Sequence, residues 1–276
     1  MPSFKKLQDQ LKWVDLIFEV RDARVPVSSG HPYATKIFGN KPRILVMAKE
    51  DLADLTKLKQ WSTQLSKNGS LVVSVALKEM RGRNKLIEQS LALTKDMQNS
   101  RVKKGLLPRP IRACVVGMPN VGKSSLINWL IGKKKAHTGN KPGITKGPQW
   151  VRVHPQLELL DTPGILPVTA LNAEITGKLA MLNLVPDSHY DIVETAELGI
   201  NTLHSIYPKM LSDAYGTSFA EGKGDLTDLA KVRSCITAGS QPDTYRAASI
   251  LLNDLRAGRL GRVILDDPLA GKTSHG

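Results

Sequence analysis

The chain has 276 residues and a formal net charge of +14, with an isoelectric point near 9.8. That length suggests two domains, and no apolar run reaches the ~18 residues of a membrane-spanning helix, nor does the N-terminus carry the apolar core of a signal peptide. Two cysteines, Cys114 and Cys235, argue against a disulfide framework and for a reducing compartment, and six histidines without metal-ligand spacing argue against a metal centre built on them.

In chain order, residues 3–12 read as a short helix and Leu16–Val20 as a strand. Arg43–Met47 is an apolar run of parallel-strand character that feeds Ala48-Lys49-Glu50-Asp51. A helix over 54–66 follows, then a strand over 71–75 that ends beside Ser74 and Ala76, then a helix over 84–97. Ile111–Val116 is another buried strand, and a helix over 123–131 starts directly after it. Strands are expected at 150–153 and 157–160. Strand and helix alternate to this point, so the first 166 residues read as an α/β sheet wrapped by helices. Beyond residue 167 the pattern is helical, with apolar residues at i, i+3 and i+4 over 173–184, 191–207, 226–237 and 244–257. Leu251, Leu252 and Leu255 mark one such face, and Cys235 is expected inside a helical segment.

Between the strand at 111–116 and its following helix lies Gly117-Met118-Pro119-Asn120-Val121-Gly122-Lys123-Ser124. It fits G-x-x-x-x-G-K-[ST], a loop whose backbone N–H groups cradle phosphates. In that reading Asn120, Val121, Gly122, Lys123, Ser124 and Ser125 bind the nucleotide's phosphates. Lys123 reaches the β/γ oxygens and the Ser124 hydroxyl holds Mg²⁺. Asp161-Thr162-Pro163-Gly164 closes the strand at 157–160. Such a carboxylate followed by a glycine is the second metal-side element of these sites, with Asp161 acting through water and the Gly164 N–H sensing the γ-phosphate. Thr145, in Lys141-Pro142-Gly143-Ile144-Thr145, can offer oxygen ligands to Mg²⁺. Lys123, Thr145 and Gly164 are therefore the expected catalytic set.

The segment Lys49-Glu50-Asp51 resembles the guanine-recognition motif Asn-Lys-x-Asp, with Ala48 in the Asn place. Asp51 would accept hydrogen bonds from guanine N1–H and the 2-amino group, a donor pair adenine lacks. Lys49 would lay its stem along the base, and Ser74 and Ala76 would border guanine O6. Losing the Asn forfeits about 0.5–1.5 kcal/mol, less than the roughly 1.5–3 kcal/mol of each charge-assisted bond to Asp51. Weaker binding with the guanine preference retained is expected.

Base recognition therefore precedes the phosphate loop, which precedes the switch elements. This is the order of a circularly permuted P-loop GTPase, and permutation is tolerated because domain termini often lie close together. With Val20-Arg21-Asp22-Ala23-Arg24-Val25-Pro26, Ser28-Ser29-Gly30-His31-Pro32 and Ala257-Gly258-Arg259-Leu260-Gly261-Arg262 added, the chain resembles the ribosome biogenesis GTPase A (YlqF-like) family over nearly its whole length. That family usually opens with a Phe-Pro-Gly-His-Met segment, which Met1-Pro2-Ser3-Phe4 does not match, so no role for an N-terminal histidine carries over.

The resemblance implies a GTP- and GDP-binding, GTP-hydrolysing assembly factor for the large ribosomal subunit, with a circularly permuted GTPase domain over 1–166 and a small all-helical C-terminal domain over 167–276 that contacts rRNA. It also implies a cytoplasmic monomer, in a bacterium or an organelle. Ile165 follows Gly164 where many GTPases have a water-orienting Gln, and the resemblance implies the Gln-less class in which Asn120 helps hold K⁺ beside Mg²⁺. The alternatives are a degenerate RNA-binding module of the same fold and another NTP-dependent RNA-processing factor.

Charge distribution points to RNA. Lys133, Lys134, Lys135, Lys141, Lys146 and Arg152 form one cluster, and Arg101, Lys103, Lys104, Arg109 and Arg112 another. Cations of this density attract polyphosphates by counterion release. With 5% aromatic residues there is no platform for stacking successive bases, so structured rRNA bound through shape and phosphate is expected, without DNA specificity.

Overall fold

The computed structural model describes residues 9–79, 81–132, 150–160, 164–165 and 172–266. It divides into two compact units, one of residues 1–51 and 56–168, the other of residues 52–55 and 169–276.

The first unit is built on a seven-stranded sheet. In chain order the strands are β1 (Leu16–Asp22), β2 (Arg43–Ala48), β3 (Leu71–Ser74), β4 (Ile111–Gly117), β5 (Trp150–His154), β6 (Leu157–Leu160) and β7 (Gly164–Ile165). Their spatial order is β3-β2-β1-β4-β6-β5, and β7 pairs with β4 beyond the end of β6. All pairings are parallel except β5 with β6. Of the central strands β1 is completely buried, and β4 is buried except at Arg112, as expected of parallel strands covered on both faces. One face packs Ile17, Cys114, Val116 and Leu160 against Leu11, Val14, Ile37 and Phe38. Burial pushes the Cys114 thiol up to about 12, so it is an inert packing group.

Among its described residues this unit carries α1 (Ala34–Phe38), α2 (Leu55–Lys67), α3 (Arg83–Lys103) and α4 (Lys123–Ile131), and residues 9–11 are helical as well, at the end of the helix expected over 3–12. α3 runs six residues past the expected 97, so Arg101 and Lys103 lie on its last turn.

The chain lays β1, β2 and β3 in one direction, then crosses back to place β4 on the other side of β1. The sheet therefore has its topological switch point between β1 and β4, where open α/β sheets bind ligands beyond the carboxyl ends of the strands.

The second unit contains α5 (Ala173–Met181), α6 (Ile192–Ile206), α7 (Met210–Tyr215), α8 (Leu226–Val232) and α9 (Thr244–Ala257). Four of these begin at side-chain caps, from Asn172, Asp191, Asp225 and Asp243, which satisfy orphan N–H groups of the first turn. Leu251, Leu252 and Leu255 are buried, as the helical spacing predicts. The helix expected over 226–237 ends at Val232, because Ser234 turns into the left-handed region and Ile236 pairs with Pro242 in a bridge. Cys235 is accordingly not helical; it is buried in the turn after α8. Residues 52–55 join this unit through the Val263 N–H, which donates to the Leu52 carbonyl at 3.1 Å.

Candidate functional site

The segments Lys49–Asp51, Ser74–Ala76 and Gly117–Ser124, singled out by sequence, leave the carboxyl ends of β2, β3 and β4. The phosphate loop springs from β4 at Gly117, where a Cβ would lie 2.6 Å from the Val20 carbonyl oxygen of β1, so only glycine fits. At the other end Gly122, with φ of 107°, caps α4 in a conformation that L-residues with side chains avoid. Val121 is buried, while Asn120, Ser124 and Ser125 are exposed. Lys123 is buried, and its ammonium donates to the Met118 carbonyl at 2.5 Å. Burial lowers its pKa from the usual lysine range to about 8. A desolvated cation with a neutral carbonyl as its hydrogen-bond acceptor is suited to receive an anion.

β7 aligns Gly164 with Val116 and Ile165 with Gly117, which places the Gly164 backbone beside the start of the phosphate loop. Thr145 and Asp161, the expected metal ligands, and the cluster of lysines over 133–146 lie outside the described residues, as does the rest of the segment over 141–145.

The base-recognition segment leaves β2 next to β1. Ala48 is buried, Lys49 and Asp51 are half-buried, and Glu50–Leu52 forms a turn of 3₁₀ helix. Ser74 is level with Met47 in the pairing of β3 with β2, and the Val75 N–H donates to the Met47 carbonyl at 2.9 Å. This brings Ser74 and Ala76 alongside Lys49–Asp51. The Lys49 ammonium donates to the Asn120 carbonyl at 3.0 Å, a contact between residues 71 positions apart in sequence. Base-recognition and phosphate loops thus meet across the β1/β4 switch point.

Sequence reading missed Asp22 and Arg24 as parts of this site. Asp22 ends β1, is fully buried, and pairs with Arg24 at 2.8 Å and with Lys49 at 2.9 Å. Burial alone would raise its pKa, but the Arg24 guanidinium and the Lys49 ammonium outweigh that and hold it at about 2. The available signal was an Asp-Ala-Arg closing an apolar strand, a place where a buried charge needs a partner.

The second basic cluster is less free than composition suggests. Arg109 forms a two-pronged pair with Asp15 at 2.6 and 2.9 Å. Arg112 lies over the Trp150 ring, 5.0 Å from its centroid, and 4.0 Å from Glu158. Lys103 and Lys104 are exposed. No helix among the described residues is long and apolar enough to cross a membrane, and no cluster of metal-ligating side chains occurs among them.

Residues 112–205 match the 50S ribosome-binding GTPase family. A ribosome biogenesis GTPase A of Bacillus licheniformis is 36% identical over 267 residues, covering 96% of this chain and 94% of the relative. That of Bacillus cereus is 34% identical over 266 residues, covering 96% and 90%. The chain belongs to the ribosome biogenesis GTPase A family. The mouse mitochondrial ribosome-associated GTPase 1 is 33% identical over 286 residues, covering 96% of this chain and 87% of that protein. Among solved structures, GDP-bound TM YlqF superposes with a TM-score of 0.68 at 25% identity, covering 96% of this chain and 99% of that one. GNP-bound YlqF from T. maritima shares the fold at a TM-score of 0.66 and 24% identity, covering 97% and 99%. The 50S ribosome-binding GTPase match begins on β4 and takes in Gly117–Ser124, while β1, β2 and β3 lie before it, in the order of a circularly permuted fold.

Proposed function

We propose that this chain is a GTP-hydrolysing timer for assembly of the large ribosomal subunit. The observation that carries the reading is the Lys49–Asn120 contact, which closes a base-binding loop onto a phosphate-binding loop at the switch point of the sheet. In this reading Asp51 selects guanine, Lys49 lies along the base, and Ser74 and Ala76 border its O6 edge. Backbone N–H groups from Asn120 to Ser125 cradle the phosphates, Lys123 neutralises the β/γ oxygens, and the Gly164 N–H meets the γ-phosphate.

The donor set suits Mg²⁺, because the exposed Ser124 hydroxyl opens the helix beside Lys123. Ser124 and Thr145 would hold the ion, and Asp161 would hold it through water. It would neutralise charge between the β- and γ-phosphates. Asn120 is proposed to contribute to a K⁺ site. GTPases of this kind work by positioning and charge stabilisation rather than covalent chemistry. Ile165 offers no hydrogen bond to the attacking water, so hydrolysis by the chain alone is slow.

The RNA reading rests on the net charge of +14 and on the surface around α3. Exposed Lys103 and Lys104 end that helix, and a cleft of about 590 Å³ beside it is lined by Lys95, Gln98 and Gln156 together with Arg109 and Arg152, whose charges are paired with Asp15 and Glu158. Phosphates of structured rRNA suit this surface better than stacked single-stranded bases. The helical unit is proposed to add contacts to the particle that depend on the nucleotide.

Gradient co-sedimentation with large-subunit particles tests this at one fixed salt concentration. More protein should travel with the particles in a non-hydrolysable GTP analogue than in GDP, and by linkage the particles should raise affinity for the analogue by the same factor. Equal association in the two states would contradict the timer.

A further inference from the structure

We propose that Asp22 is a positioning residue for base recognition: it fixes Lys49, and with it the loop bearing Asp51, against the phosphate loop. The inference rests on the reading of Asp51 as the guanine-binding carboxylate.

The two oxygens of Asp22 are used differently. Oδ1 accepts from the Arg24 backbone N–H at 3.0 Å and from Arg24 Nε at 2.9 Å. Oδ2 accepts from Arg24 Nη2 at 2.8 Å and lies 2.9 Å from Lys49 Nζ. Arg24 is itself buried, so the pair makes a rigid anchor inside the first unit. The turn bearing it is closed by the Asp22 N–H donating to Ser29 Oγ, and by that hydroxyl donating to the Val25 carbonyl.

A buried ion pair can be merely architectural. Three observations take this one further. Lys49 is not a core residue: it belongs to the recognition loop and is 28% exposed. Its ammonium meets the Asp22 carboxylate while also donating to the Asn120 carbonyl of the phosphate loop. The backbone follows the same route, because the Ala23 N–H donates to the Ala48 carbonyl at 2.8 Å. Both residues joined by the lysine contact hold left-handed backbones, Lys49 with φ of 61° and Asn120 with φ of 55°. Conformations of this kind, uncommon outside glycine, persist where the surroundings impose them.

The arrangement also accounts for Ala48. A methyl group at that position cannot hydrogen-bond to the phosphate loop, and an ideal Cβ on Gly122 would lie 3.6 Å from it, in ordinary van der Waals contact. The polar tie between the loops passes instead through the next residue, Lys49, with Asp22 holding its far end.

The test is calorimetric binding of GDP, IDP and ADP to the full chain carrying Asp22→Asn, Lys49→Met, both together, or Asp51→Asn. IDP lacks the 2-amino group that Asp51 reads, so the GDP/IDP affinity ratio reports where Asp51 sits. Lys49→Met keeps the apolar stem and leaves the Asp22–Arg24 pair intact. Each of Asp22→Asn and Lys49→Met should weaken GDP binding about tenfold and bring the GDP/IDP ratio toward one, and the double variant should be no worse than either single, as expected of residues acting as one unit. A preserved ratio in either single variant, or fully additive losses, overturns the inference. If Asp22→Asn does not fold, a preserved ratio in Lys49→Met alone overturns it. A wild-type chain that binds GDP, IDP and ADP equally, or an Asp51→Asn chain with the wild-type ratio, overturns the underlying base assignment instead.

Discussion

The ammonium of Lys123 donates to the carbonyl oxygen of Met118 at 2.5 Å, five residues back along the phosphate loop. The loop is thereby closed around its own cation, and in the proposed reading the phosphates of a nucleotide would supply the negative charge that this carbonyl cannot.

The consequence is a pH dependence with a definite sign. Burial holds Lys123 at about 8 without ligand, and a bound polyphosphate raises that value because it favours the charged form. Affinity for GTP should be full below pH 8 and fall as pH rises above it, by about tenfold per pH unit until the bound-state value is reached. Binding measured from pH 7 to 9.5 checks this, and a flat profile would contradict the lowered value of Lys123. Lys123→Ala should abolish productive turnover.

Asp51→Asn should relax base choice, since an amide offers one acceptor oxygen and no charge to the two guanine donors. Charge-assisted bonds of about 1.5–3 kcal/mol each are at stake, so the GTP/ATP affinity ratio should fall by tenfold or more. Competition binding with both nucleotides is the measurement, and an unchanged ratio would refute the assignment.

Gly117→Ala should destabilise the first unit by about 2–4 kcal/mol, the range of buried steric conflicts. The added methyl would stand 2.6 Å from the Val20 carbonyl and 3.1 Å from Val121 Cγ2, and a central strand cannot retreat. Urea unfolding followed by tryptophan fluorescence reads the change in midpoint.

Asp22 should shape the acid limb of stability. Its carboxyl lies near 4 when unfolded and at about 2 when folded, so its contribution is present above pH 4 and is lost as pH falls through 2. A difference of that size is worth about 2 kcal/mol. Urea midpoints at pH 6, 4 and 2.5 should fall less steeply in Asp22→Asn than in the wild-type chain.

The sheet was legible because strands buried on both faces read as unbroken apolar runs. β2, β4 and β6 stand where Arg43–Met47, Ile111–Val116 and Leu157–Leu160 were expected, within a residue or so. α1 and α7 went unread because five or six residues are too few to display a helical period. The ending of α8 depended on Ser234 entering a left-handed conformation that no local pattern announces. The strand ends that lead into Gly117–Ser124 and Lys49–Asp51 were each readable from the sequence. Their union was not, since Lys49 and Asn120 meet only through the parallel pairing of β1 with both β2 and β4. The second basic cluster was overcounted for a similar reason: the Arg109–Asp15 pair joins residues 94 positions apart.

The central claim is that this GTPase waits for the ribosome. It is tested most directly by multiple-turnover phosphate release from GTP, with and without purified large-subunit particles, in K⁺ and in Na⁺ buffer. The account predicts slow release by the chain alone, acceleration by the particles of about 10³ or more, as an added catalytic group can provide, and loss of that acceleration with Lys123→Ala. Rapid turnover by the chain alone in Na⁺, or a rate that particles leave unchanged, would contradict it.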